Sequence, residues 1–366
     1  MRNLFIHIGT PKTGSTAIQR ALENYRRSEG AKHVYYILQP PHACVRKIQQ
    51  ATLPDVSISD ELNAHIVSDV GYSQANQETP SDVILSSEGF AGMPLTGFDN
   101  SDITASILKD ATSEFNVRVI VYLRRQDQYV ESMYTQTIHE GESHSFEGFL
   151  ENFNDQKALD YSSLLASFES QFGIENMVVR SYEHAAKIGI VKDFGAVVGV
   201  SNLDQYSDKR KANPSYSLQA INIARSINSK LKTNEKLVLR WLLQEYCSKS
   251  KSCDDWLFDA AERMLFLDRF RVSNEEVARK YFDGKLEALF SNPEKQSSDM
   301  RTKATTGKIP VPQEISSLVL AMTRKIADLE RLRSEVADYK SQESRCLLPR
   351  FKKLIRRVVT KIGPKN

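Results

Sequence analysis

Residues 4–16, LFIHIGTPKTGST, set a short apolar run ahead of a turn rich in glycine, threonine and serine, and AIQRALENYRR follows with helical spacing. A strand that turns tightly into a helix gathers free backbone N–H groups and the positive end of the helix dipole, and together these hold an anion. Gly9 and Gly14 keep the GxxxxG spacing of a triphosphate-binding loop, but Ser15 and Thr16 follow Gly14 directly. The lysine of the stretch, Lys12, lies inside the turn, whereas an ordinary ATPase loop carries it just after the second glycine. A second anion grip is encoded further on. The run VRVIVYL ends at Arg124 and Arg125, and Ser132 stands eight residues beyond Arg124 in the helical stretch QDQYVESMYTQ. An arginine at a strand end and a serine two turns into the next helix can meet on one phosphate, as a charged fork and a hydroxyl donor. Glu88 closes the run DVILSSE, which supplies no metal-binding aspartate at its end. A carboxylate there is ionised at neutral pH and is the leading candidate for a general base; capping a turn or pairing with a nearby basic residue is the alternative. His7, inside the first apolar run, is either a second candidate base or a satisfied core histidine. His139 and His144 fall after the second motif, in a stretch that can face a substrate.

These residues need a scaffold that brings loop ends together. Strands are expected at Leu4–Ile8, Val83–Ser86, Val117–Leu123 and Met177–Arg180, each short and apolar, as strands buried on both faces are. Helices are expected at Thr16–Arg27, Gln128–His139 and Tyr161–Phe172, and the alternation is that of a parallel α/β sheet. Pro40 to Pro80 has weak periodicity and reads as an irregular, partly helical insertion, while the pattern from Ser215 onward is helical. The fold expected is therefore α/β, a P-loop NTPase-like three-layer arrangement around a central parallel sheet with a helical C-terminal half, in one domain over residues 1–300. A polar segment with Gly307, Pro310 and Pro312 makes residues 301–312 a linker. Over residues 313–342, Ile315, Leu318, Met322, Leu329, Leu332, Val336 and Tyr339 fall on an a/d register, with Lys325 interrupting one d position. That register suits a short coiled coil joining copies of the chain, or a helix packed on its own domain. Residues 345–363 form a basic amphipathic helix that suits an anionic membrane surface; a solvated tail, or docking on an acidic neighbour, is the plainer reading.

Taken together, the loop at 9–16 and the Arg124/Ser132 pair make the chain resemble the sulfotransferase superfamily, and most closely its bacterial, carbohydrate-type branch. DYSSLLASFESQFGIENMVVRSYEH, VKDFGAVVGV, RKANPSYSLQAI and DRFRVSNEEVARKYF resemble that branch's later segments, so the likeness spans about residues 3–292. The resemblance implies 3′-phosphoadenosine 5′-phosphosulfate as donor and co-substrate. It implies that Lys12, Thr13, Gly14, Ser15 and Thr16 grip the 5′-phosphosulfate and that Arg124 and Ser132 grip the 3′-phosphate. Tyr182, in the Tyr182-Glu183 dipeptide, would lie near the adenine. The Arg-Lys-Gly-type motif of the cytosolic animal branch is absent, and Lys209, Arg210 and Lys211 can supply equivalent charge. Lys12 and Glu88 become the catalytic pair, with a glycan or glycolipid hydroxyl as acceptor. Sulfuryl transfer, like phosphoryl transfer, is loose and in-line and depends on positioning and electrostatics. Sulfate carries less charge than a terminal phosphate, so no metal is expected.

Composition bounds the alternatives. The 366 residues are 40% hydrophobic with a net charge of +3, enough for a large core. Residues 345–366 hold eight basic and no acidic side chains, so the rest of the chain is net acidic and is not a nucleic-acid binder. Cys44, Cys247, Cys253 and Cys346 are scattered and read as reduced structural thiols. With Met1 and Arg2 running straight into the first strand and no apolar run long enough to span a bilayer, a cytoplasmic protein is expected, peripheral on the inner membrane face if the tail binds there. Two other classes stay open on the residues alone: a nucleotide-dependent, kinase-like phosphotransferase on the same fold, and a non-catalytic assembly protein with a degenerate nucleotide pocket.

Overall fold

Five apolar runs become strands: β1 (Arg2–His7), β2 (Val34–Tyr36), β3 (Asp82–Ser86), β4 (Phe115–Leu123) and β5 (Met177–Ser181). They form one parallel sheet in the order β2-β3-β1-β4-β5. The computed structural model describes residues 2–28, 34–37, 39–76, 82–208, 215–247, 257–291, 312–313 and 315–337, with 72–76 by backbone alone. Lys209, Arg210 and Lys211, nearly all of the 301–312 linker, the end of the 313–342 register and the 345–363 tail lie outside the described residues.

The helices that cover the sheet are α1 (Ser15–Arg26), α2 (His42–Gln50), α3 (Val56–Asn76), α4 (Ser101–Ala111), α5 (Gln126–His139), α6 (Phe146–Leu150) and α7 (Tyr161–Phe172). They continue with α8 (Tyr182–Ile188), α9 (Ile190–Val197), α10 (Leu218–Ile227), α11 (Thr233–Tyr246), α12 (Ala260–Asp268), α13 (Arg271–Tyr281), α14 (Leu286–Leu289) and α15, residues 315–337. Side chains alternate across a strand. Leu4 and Ile6 of β1 therefore enter a cluster with α3, α4 and α7, while Phe5 enters another with α1 and α9. The sheet is thus sandwiched between two helical layers.

The expected strands appear within two residues at each end, and β2 is an addition. In the stretch from Pro40 onward, expected to be irregular and partly helical, the described residues hold two regular helices, α2 and α3. The inward stripe of α3 is Ile58, Leu62, Ile66 and Val70, one residue per turn, while Val56 and Val67 are exposed and dilute the pattern.

Because β1 pairs with β3 on one side and β4 on the other, the chain leaves β1 at a topological switch point, where the loops after neighbouring strands diverge and open a crevice. Parallel pairing brings the C-terminal ends of β1, β3, β4 and β5 to one edge. The turn at 8–14, Glu88, Arg124 and Tyr182 each follow directly from one of those ends.

Candidate functional site

The turn after β1 is held in shape from within. Thr10 donates its hydroxyl to the Tyr122 carbonyl at 2.7 Å, and Thr13 donates to the Thr10 carbonyl at 2.6 Å. Gly9 (φ 42°) and Gly14 (φ 86°) take left-handed backbone, and so does Lys12 (φ 66°). A lysine in that region is uncommon and strained, and such strain gathers at binding sites. Gly14 also stands against Ile190 at the start of α9: a Cβ on Gly14 would lie 3.0 Å from the Ile190 side chain. Helix α1 starts at Ser15 with no acidic residue in its first turn and no side-chain cap at Gly14, so the positive end of its dipole faces the turn uncompensated by a side chain. The Ser15 hydroxyl is buried beside Glu88, whose charged form it favours.

Arg124 follows β4 and reaches back to the turn. Its Nη1 donates to the Lys12 carbonyl at 3.0 Å, and its guanidinium lies 5.2 Å from the centre of the Tyr182 ring. Its Nε is buried without a hydrogen-bond partner among the described residues. Arg124 and Ser132 line the same recess of about 160 Å³, together with Gln128, Thr135 and Tyr216. Gln128 and Ser132 are one turn apart on α5, and Gln136 one turn further receives Lys12 Nζ at 3.5 Å. Gln136 was absent from the sequence-based set, although its i+4 step from Ser132 marks it. The neighbouring Arg125 has a different occupation: it is buried and forked onto Asp127 at 2.7 and 2.9 Å, and its Nη1 donates to the Ser291 carbonyl. Arg263 of α12 joins Asp127 at 3.2 Å, which ties the C-terminal helices to the start of α5.

Lys12 and Glu88 share one electrostatic environment. Burial, then the Arg124 charge, pushes the Lys12 pKa down, and Glu88 holds it up. Burial pushes the Glu88 pKa above the ordinary carboxylate value, against the charge of Lys12 and the nearby Ser15 hydroxyl. Glu88 begins the 3₁₀ turn Glu88–Ala91 capped by Ser87, and its Cα is 3.6 Å from where a Gly9 side chain would begin.

The three histidines part company. His7 is fully buried, its Nδ1 2.8 Å from Ser86 Oγ and its ring against Tyr122 and Phe194; burial lowers its pKa to about 3. That is the packing of a core histidine. His139 is buried edge-on to Tyr216 at 3.9 Å, and burial with the charges of Arg240 and Lys12 lowers its pKa to about 3. It is therefore neutral and within the electrostatic reach of Lys12. His144 stacks on Phe149, with Nε2 3.3 Å from Thr137 Oγ1.

No protein-family model matches the chain. An uncharacterized protein of Archaeoglobus fulgidus is 31% identical over 182 residues, 48% of this chain and 49% of that protein. The chain thus spans about half the length of the curated relative it matches. Among solved structures, a sulfotransferase from Alicyclobacillus acidocaldarius aligns at 17% identity and a TM-score of 0.35, over 65% of this chain and 94% of that one. Mouse sulfotransferase SULT7A1 complexed with PAP aligns at 12% identity and a TM-score of 0.35, over 80% of this chain and 90% of that one.

Proposed function

We propose that this chain moves a sulfuryl group from 3′-phosphoadenosine 5′-phosphosulfate to a hydroxyl of a glycan or glycolipid. The observation that carries this reading is the bond from Arg124 to the Lys12 carbonyl, with Ser132 in the same recess and Tyr182 under the guanidinium. It supports a reading in which two cationic grips lie side by side, one on the turn and one at the end of β4, as a nucleotide phosphorylated at both ends of its ribose requires. The residues suit such a donor. The buried Arg124 Nε has no hydrogen-bond partner among the described residues, and the turn is closed to any side chain at Gly14.

In this reading Lys12, Thr13, Gly14, Ser15 and Thr16 hold the phosphosulfate end, Arg124 and Ser132 the 3′-phosphate, and Tyr182 the base. When bound, the donor supplies a sulfuryl group already activated by its link to phosphate. The Lys12 ammonium, held by the turn and by Gln136, stabilises negative charge on the oxygen that departs from sulfur. The Glu88 carboxylate takes the proton from the acceptor hydroxyl. Its raised pKa makes it a stronger base than a solvated glutamate, and the neighbouring Lys12 keeps the charged form accessible. The acceptor class follows from the carbohydrate-type resemblance, and the basic tail motivates the glycolipid option.

The test is to incubate the full chain with the donor and a mixture of glycans and glycolipids and to follow acceptor mass. One added sulfuryl group, abolished in Lys12→Ala, is the result expected. Acceptors that stay unchanged with this donor but gain phosphate from ATP would overturn the assignment.

A further inference from the structure

Helix α15 has two faces with different fates. Ser316, Thr323 and Ala327 are buried and Val319 and Leu320 pack on the main core, with Ser316 Oγ 2.9 Å from Ser226 Oγ and Arg324 donating to the Lys230 carbonyl at 2.8 Å. That face fixes the helix to the end of α10 and the turn before α11. The opposite face carries Ile315, Leu318, Met322, Leu329, Leu332 and Val336, all between 45% and 61% exposed. From Asp328 to Ala337 every side chain is exposed, so the last turns stand clear of the body while still carrying three large apolar residues. A polar exposed helix of that length has little to stabilise it; one with a sustained apolar seam is built to be covered.

The flanking charges say by what. With Ile315 at a and Leu318 at d, the g positions next to the exposed seam are Asp328 and Glu335, and the following e position is Arg333. In a parallel pair each g residue faces the e residue five positions on in the other chain, so Asp328 meets Arg333 of the partner subunit, and the reverse. The sequence repeats the pattern one heptad on, with Glu335 at g and Lys340 at e. An antiparallel pair would set acid against acid and base against base. The seam is therefore complementary to itself in one orientation.

We propose that α15 joins two copies of this chain as a parallel, two-fold coiled coil along Leu318, Met322, Leu329, Leu332 and Val336, with the buried face of each helix still docked on its own body. Lys325 occupies the one polar d position and fixes the register, at a cost in affinity. Parallel pairing delivers both chains to the same end of the coil, and with them both copies of the basic sequence 345–363.

Sedimentation of the full chain at micromolar concentration tests this. A dimer is expected, with Leu329→Asp/Leu332→Asp giving a monomer that retains nucleotide binding. Asp328→Arg should weaken the dimer and Asp328→Arg/Arg333→Asp should restore it. Val336→Cys should crosslink to itself under oxidation far beyond the parent chain, which a parallel seam allows and an antiparallel one does not. A monomeric parent, a dimer indifferent to the Leu329/Leu332 change, or a dimer that Val336→Cys fails to lock would each overturn the proposal.

Discussion

At the scale of single residues, the proposed chemistry depends on charge held in place by backbone. Lys12 sits in a left-handed conformation that costs a non-glycine residue about 1–2 kcal/mol, so the turn spends folding energy to aim that side chain. Lys12→Ala should lower kcat by about 10²–10³-fold, the usual loss when one donor to a developing negative charge is removed. Glu88 gives a pH signature. Burial raises its pKa, so its basic form is lost as pH falls through a value above that of a solvated glutamate. The acid limb of kcat/KM should lie above the ordinary carboxylate range with unit slope, and Glu88→Gln should remove that limb with most of the activity. A limb at the ordinary value would assign the proton to another group. Lys12, Arg124 and Ser132 were legible because their spacing from strand ends is local. Gln136 and Ile190 were not, since they reach the turn from α5 and α9 through tertiary packing, although Gln136 left a trace in its i+4 step from Ser132.

At the scale of elements, the turn and α9 act together. Gly14 is left-handed and closed off by Ile190, so Gly14→Ala adds backbone strain of about 1–2 kcal/mol and a contact at 3.0 Å. Lower thermal stability together with weakened anion binding is expected from calorimetry and titration. The end of α5 offers a separate test. His139 is held at about 3 by burial and by Arg240 and Lys12, against 6.5 when unfolded. Between those values the unfolded chain binds a proton that the folded chain does not, so its contribution to stability is present above about pH 6.5 and is lost as pH falls towards 3. Glu131, raised to about 7 by burial, works in the opposite sense. Comparing the parent with His139→Gln cancels that term, and the parent's melting temperature should fall more steeply below pH 6.5. The same elements show what sequence periodicity can and cannot tell. Strands β1, β3, β4 and β5 are apolar runs bounded by turn residues and were readable. The three-residue β2 was too short to register, and α3 presents so narrow a buried stripe that its stretch read only as an irregular, partly helical insertion. The network of Arg125, Asp127 and Arg263 joins residues more than 130 positions apart and has no sequence signature.

At the scale of the whole molecule, one parallel sheet puts four strand ends at a single edge, and the turn, Glu88, Arg124 and Tyr182 follow those ends while Ser132 reaches the site from α5. The described helices include none long and apolar enough to cross a membrane. The lipid contact proposed for the glycolipid option rests on the charge of the basic sequence at 345–363, presented twice if α15 pairs in parallel. Deleting residues 345–366 should release the chain from anionic liposomes in a flotation assay, and the Leu329→Asp/Leu332→Asp monomer should bind them more weakly than the dimer; binding unchanged by the deletion would remove the tail from the account. Central to everything is the double grip of the turn and Arg124. Calorimetric titration of the full chain with 3′-phosphoadenosine 5′-phosphate beside ATP measures it directly. Tight binding of the former, weakened about 10–100-fold by Arg124→Ala as loss of a charge-assisted contact requires, is the predicted result. A preference for ATP, or affinity indifferent to Arg124, would contradict it.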